Sequence, residues 1–305
     1  MKWLLALVML CGAAHADDKS CIDDGKPFDQ KALKSRIEFL ASSDLDGRVP
    51  GTDGDKSARE HIVSRMKCLG LTVTEQAFKD SKKKDTANVI GVLKGSDDKL
   101  GSEIVIIGAH HDHEGSGHLG ANDNASGVTG LLAVAQALAQ KDAKPKRTVV
   151  FIAFGAEEEG DLGSQFYAAN VPDDLPMDKV VQFINLDMIG SYKSKSIVAA
   201  MGSFAKFPAR KALDKLVKAY PKTKVALGGH GYRSDHEAFC KKGIPYVFFW
   251  TPDGRCYHEK CDTVANIDFP RMADIASLAG DLTWDLANSS TDLAASRTKL
   301  GCGQK

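Results

Sequence analysis

Neither sign of charge dominates this 305-residue chain, in which 40 lysines and arginines face 40 aspartates and glutamates. No global field therefore draws it to nucleic acid or to an anionic membrane, and neither is expected as a partner. The one dense basic run, Lys82-Lys83-Lys84, lies between Asp80 and Asp85 and reads as a solvated loop. No apolar run approaches the ~20 residues that span a bilayer. No internal repeat, low-complexity tract or linker divides residues 30–290, so one domain is expected there.

The first sixteen residues read as a secretory signal. Lys2 supplies the positive start and Leu4 to Leu10 the apolar core. Ala14-His15-Ala16 then forms a small-x-small cleavage pattern before Asp17-Asp18. A lipid anchor on Cys11 is disfavoured by the bulky Leu10 before it. Residues 17–305 are thus expected to form an exported protein, periplasmic or extracellular, acting as a monomer. Without Cys11 the chain retains Cys21, Cys68, Cys240, Cys256, Cys261 and Cys302, an even set suited to an oxidising compartment. Cys256 and Cys261 are close enough to bridge a tight loop. The rival reading is a thiolate pair on zinc, although no second cysteine pair stands nearby to complete a four-sulfur site.

Helical stripes are expected over 29–43 and 55–69, with a turn-rich loop at 44–54 between them. Two strands at 72–78 and 87–93 read as a hairpin. Strands and helices then alternate. Apolar strands at 104–108, 148–154 and 180–186 each lead into polar segments, with further strands at 197–201 and 246–250. Helices are expected from about Asn124, over 162–170 and 206–220, and finally over 271–288. This alternation implies an α/β fold with a mostly parallel sheet covered on both faces.

What the chain has in abundance is metal-type side chains just after those strands, where an α/β fold keeps its chemistry. The stretch GAHHDHEGSGHLGANDNASG follows the first and contains His110, Asp112 and Asp123. Ala156-Glu157-Glu158-Glu159 follows the second, and Asn185-Leu186-Asp187 ends the third. His110 and Asp112, two apart, share a face of an extended segment, so that the carboxylate can orient the imidazole. His111, His113 and His118 read as loop histidines. Asp123 stands as either a helix cap, a task Asn124 could equally take, or a carboxylate bridging two cations. The glutamate run is either an exposed acidic turn or a metal ligand beside a general base. Asp187 could be a buried hydrogen-bonded aspartate, and His258, in CYHEKCDT, an ordinary surface histidine. Phe248, Phe249 and Trp250 read as strand core before pocket lining.

Taken together, LASSDLDGRVPGTDGD, GAHHDH, GANDNASG, FGAEEEGDLGS, NLDMIG, RSDHEAF and YHEKCDT resemble the co-catalytic zinc aminopeptidases secreted by bacteria, metallopeptidase family 28. The resemblance runs from about Leu40 to Thr263. It implies a three-layer α/β/α sandwich around a mixed sheet of eight strands. It further implies that Asp123 bridges two divalent ions, zinc first among them, with manganese or cobalt compatible. His110 and Asp187 would complete one site, and Glu158 and His258 the other. Glu157 would be the general base, Asp112 the partner of His110, and Tyr257 a donor to the tetrahedral intermediate. Arg233 matches a position that contacts substrate. The expected partner is a peptide with a free N-terminus. Three carboxylates and a bridging hydroxide would neutralise two divalent cations ~3.5–4 Å apart. The rivals are a single-zinc glutaminyl cyclase, which Tyr257 in place of tryptophan disfavours, a carboxypeptidase of the same clan, and a silent binding protein.

Overall fold

Period-2 alternation along the strands divides the interior in two. In the computed structural model, which describes residues 25–191, 197–231 and 233–297, eight strands form one sheet in the order β1-β2-β4-β3-β5-β8-β6-β7. They are β1 Thr72–Lys79, β2 Asp85–Leu93, β3 Ile104–His110, β4 Thr148–Phe154, β5 Val180–Leu186, β6 Val198–Met201, β7 Val225–Leu227 and β8 Tyr246–Trp250. Val105, Ile107, Val149, Phe151 and Ile184 face the larger core. Their neighbours Ile104, Ile106, Val150, Ile152 and Phe183 face the smaller one. Every residue of β3, β4 and β5 is buried. That is why these strands read as unbroken apolar runs rather than alternating ones.

The larger core lies beneath helices α1 Gln30–Leu40, α2 Asp53–Cys68, α3 Gly127–Ala139, α5 Pro208–Leu216 and α7 Phe269–Asn288. The smaller lies beneath α4 Leu162–Ala169 and α6 His236–Lys241. Phe183 and Phe239 stack there with ring centroids 4.1 Å apart. The result is the expected three-layer sandwich. The sheet is mixed: the outer pairs β1/β2, β2/β4 and β6/β8 are antiparallel, while β4, β3, β5 and β8 run parallel. Four adjacent strands thus end at one edge, and their C-terminal loops converge.

Several elements depart from the sequence expectations. The 44–54 segment is not simply a loop. Ser43–Arg48 forms a 3₁₀ turn, and α2 already begins at Asp53, capped by Thr52 Oγ1 on the Asp55 amide. The helix expected from Asn124 begins only at Gly127, because residues 121–126 wind as a wider turn. Neither β7 nor α6 was expected, since each is too short to carry a periodic signal. The signal segment, with Cys11, Cys21 and Cys302, lies outside the described residues. No helix among the described residues is long and apolar enough to cross a membrane.

Candidate metal centre

The converging strand ends enclose a cavity of about 440 Å³, lined by His110, Asp123, Glu157, Glu158, Asp187, Tyr257 and His258 among others. Every residue singled out from the sequence as a ligand or base is therefore in one place. His110 ends β3, Glu157 and Glu158 follow β4, and Asp187 follows β5.

Asp123 owes its position to its neighbours. Asn122 Oδ1 accepts from the amides of Gly190 and Ser191 at 2.8 and 3.0 Å. Asn124 Oδ1 accepts from Gly127 and Met188 at 2.9 and 3.2 Å. The two asparagines therefore pin the turn to the loop after β5, and Asn124, not Asp123, serves the start of α3. Asp262 accepts from the amides of Asn122 and Asp123 at 2.7 and 2.9 Å. This ties in the segment that holds His258. With these bonds made by its flanks, the Asp123 carboxylate is free to face the cavity.

Its two oxygens point at different histidines. Oδ1 lies 3.3 Å from His110 Nε2, and Oδ2 lies 3.3 Å from His258 Nε2. Asp187 Oδ1 is 3.3 Å from His110 Nε2, and Glu158 Oε2 is 3.2 Å from His258 Nε2. In a tetrahedron with zinc–ligand bonds of 2.0–2.2 Å, neighbouring ligand atoms stand about 3.3–3.6 Å apart. His110, Asp123 and Asp187 form one such donor group, Asp123 recurs with Glu158 and His113, and Glu158 with His258 and Glu114, so the residues present fit a metal ion. The donors are imidazole nitrogen and carboxylate oxygen without thiolate, a set suited to zinc.

The outer contacts refine the roles. His110 Nδ1 is 3.2 Å from the Asp112 carbonyl and 3.7 Å from its carboxylate. That carboxylate instead accepts from the amides of Glu157 and Glu158 at 3.0 and 3.2 Å. Asp112 thus supports both the histidine and the glutamate turn. Asp187 Oδ2 accepts from Ser234 Oγ at 2.8 Å. Glu159 faces away and accepts from the Ser81 amide, which leaves Glu157 and Glu158 to face the cavity. Cys256 and Cys261 form a disulfide with Cα atoms 5.3 Å apart, so they are not a thiolate pair. Ala156, Met188 and His258 all have positive φ (57°, 54° and 54°). Such backbone persists only where its surroundings over-determine it.

Charge is crowded here. Burial opposes the His110 imidazolium, yet the nearby carboxylates of Glu157, Asp187, Asp112 and Asp123 hold its pKa well above the usual histidine range. Hydrogen bonds to Asp123 and Glu158 raise His258 to about 10 despite burial. Burial would raise Asp123, but its hydrogen bonds to both histidines hold it far below the usual carboxylate range. Glu157 goes the other way. Burial, with Asp187, Asp235 and Glu158 nearby, lifts it well above that range although His110 opposes the shift. Burial and the surrounding carboxylates raise Tyr257 to about 12, so its phenol keeps its proton at neutral pH.

Arg233 lines the cavity with a side chain 76% exposed, its Nη2 3.9 Å from Asp161 Oδ2. Phe248 and Trp250 also line it, whereas Phe249 points into the larger core. Core use thus holds for Phe249 and Phe248, with Trp250 packed against the smaller core, and Phe248 and Trp250 serve as lining as well.

Sequence reasoning missed several supports. His111 and His113 stand in the loop after β3, as expected, but their side chains are buried. His111 Nε2 pairs with Asp55 at 2.9 Å, and His113 Nδ1 with Glu158 Oε1 at 2.8 Å. His118 remains local, its Nδ1 2.9 Å from the Gly115 carbonyl. The HDHE run was the available signal, but spacing alone does not show which rings turn inward. Arg48 is fully buried and donates to the carbonyls of Leu40, His111, Leu119 and Gly120. Arg48→Met is expected to destabilise the fold by about 1–3 kcal/mol or more, because buried carbonyls lose their donor. Urea unfolding checks this, and a loss under about 1 kcal/mol, no more than one ordinary hydrogen bond, would contradict it.

The Peptidase family M28 profile matches residues 88–283. The chain belongs to peptidase family M28. Leucine aminopeptidase 2 of Arthroderma otae is 34% identical over 255 residues, covering 73% of this chain and 50% of that protein. The chain spans about half the length of the curated relatives it matches. Among solved structures, a zinc aminopeptidase from Bacillus subtilis superposes with a TM-score of 0.75 at 18% identity, covering 88% of this chain and 98% of that one. A glutaminyl cyclase from Bacteroides thetaiotaomicron gives 0.70 at 21% identity, covering 85% and 98%. At such identities both share the M28 fold, and the fold alone does not choose between their chemistries.

Proposed function

We propose that this chain is a two-metal aminopeptidase that removes the N-terminal residue of peptides. The observation that carries the reading is the Asp123 carboxylate, which presents one oxygen to His110 and the other to His258. Tyr257, just before His258, stands where the cyclase branch tends to carry tryptophan, which favours hydrolysis. Leucine aminopeptidases among the relatives support the same choice.

In this reading His110, Asp187 and Asp123 hold one cation, and Asp123, Glu158 and His258 the other. When bound, the two ions supply a nucleophile from water near neutral pH and Lewis acidity at the scissile carbonyl. Glu157, facing the cavity beside the ligands, then accepts the proton of the attacking water and delivers it to the departing amine. The Tyr257 phenol donates to the oxyanion as it develops. The negative charge of Glu157 also attracts the free α-ammonium of the substrate, which confines cleavage to the first peptide bond. Arg233, at the cavity mouth, contacts the substrate beyond that bond. An exported, disulfide-bonded protein is the setting this chemistry suits, in line with the bridge at Cys256–Cys261.

Metal analysis paired with free and N-acetylated aminoacyl-anilides tests the reading. About two ions per chain are expected, with chelator-sensitive release from free-amine substrates only. Equal cleavage of blocked substrates would sink the aminopeptidase assignment, and one ion with cyclisation of N-terminal glutamine would favour the cyclase.

A further inference from the structure

We propose that His113 and Glu114 are positioning residues for the cation position formed by Asp123, Glu158 and His258, and that each holds one of its ligands from behind. The proposal rests on the two-ion reading above. Glu158 divides its oxygens: Oε2 faces His258 Nε2 at 3.2 Å, while Oε1 meets His113 Nδ1 at 2.8 Å. A donor on Oε1 leaves Oε2 alone to face the cation position. His258 is divided in the same way, with Nε2 towards the carboxylates and Nδ1 3.2 Å from Glu114 Oε1. A carboxylate on the second nitrogen of a ligating imidazole fixes its tautomer and ring orientation.

The His113 side chain is fully buried, and its Nε2 finds no hydrogen-bond partner among the described residues. Its polar engagement is therefore the one with Glu158. The ring lies against bare backbone, because a Cβ on Gly120 would come within 2.5 Å of its Cγ. It also meets the His258 ring edge-on, with centroids 5.7 Å apart. Glu114 and His258 keep 41% and 31% of their side chains exposed, so water screens that contact more. Asp112, His113 and Glu114 thus follow His110 as three consecutive supports. The first serves His110 and the glutamate turn, and the next two serve Glu158 and His258.

Zinc titration against a chromophoric chelator tests this in the full-length protein. The wild type should bind two ions. His113→Ala should weaken one site by about 10–100-fold, the usual effect of removing an outer partner, and leave the other unchanged. His113→Asn should recover most of that loss, because its amide places an N–H near the Nδ1 position. His113→Gln should not, because its amide reaches instead towards Nε2. Glu114→Ala should weaken the same site by less than about tenfold. If His113→Ala does not fold, the comparison of Asn with Gln decides. Wild-type affinity in the Ala variant, or equal rescue by Gln and Asn, would overturn the inference and assign His113 to packing. A wild type that binds fewer than two ions would instead overturn the reading beneath it.

Discussion

Glu157→Gln is expected to lower kcat by about 10²–10⁴, the usual contribution of a general base, with KM within a few-fold and both metals retained. The expectation follows from where Glu157 sits. Its amide is held by Asp112, as is that of Glu158, so one carboxylate fixes the pair. Glu158 is engaged by both His113 and His258, whereas Glu157 faces the cavity with no ion pair of that closeness among the described residues. Burial and the neighbouring carboxylates hold it above the usual carboxylate range. Glutamine keeps the shape and loses the basicity. The acid limb of the pH profile of kcat/KM should disappear with it. Steady-state kinetics paired with metal analysis read the result. A Gln variant within about tenfold of wild type, well short of a general base's contribution, would remove Glu157 from the role.

Much of this arrangement was legible in the chain because the central strands are buried on both faces. Continuous apolar runs marked β3, β4 and β5, and the ligand-type residues after them followed from strand direction. Asp123 was ambiguous for a physical reason: an aspartate before a helix is also a good cap. The ambiguity is resolved by its flanking asparagines, whose long-range bonds to Gly190 and Met188 no local pattern encodes. The burial of two loop histidines escaped for a related reason. His111 and His113 turn inward to Asp55 and Glu158, 56 and 45 residues away in sequence. Arg48 likewise sits in a turn-rich segment that reads as solvent-exposed, yet it binds carbonyls up to 72 residues distant. Short elements such as α6 escaped because six residues carry too little periodicity to stand out.

The second large effect is expected at Asp123. Replacing it with alanine should weaken both cation positions by more than the 10–100-fold that an outer partner costs. His110→Ala and His258→Ala should each weaken mainly one. The asymmetry follows from geometry, since Asp123 alone places an oxygen beside each histidine. It follows also from charge: the three carboxylates Asp123, Glu158 and Asp187 would fall to two against four positive charges. Protons offer a second readout. In the metal-free protein His258 is raised to about 10, chiefly by hydrogen bonds to Asp123 and Glu158. Its folded pKa exceeds the ordinary value of about 6.5, so this pairing stabilises the metal-free fold fully below about 6.5. The contribution is lost as pH rises through about 10. A cation requires the neutral imidazole, so uptake at neutral pH must expel the proton, and affinity should strengthen as pH rises across that window. Asp123→Ala removes the main hydrogen bond that raises this pKa, so proton release per ion should shrink along with affinity. Calorimetric zinc titration in buffers of different ionisation enthalpy measures both at once. Loss of only one ion, with wild-type proton release at the other, would show that Asp123 belongs to one site and does not join two.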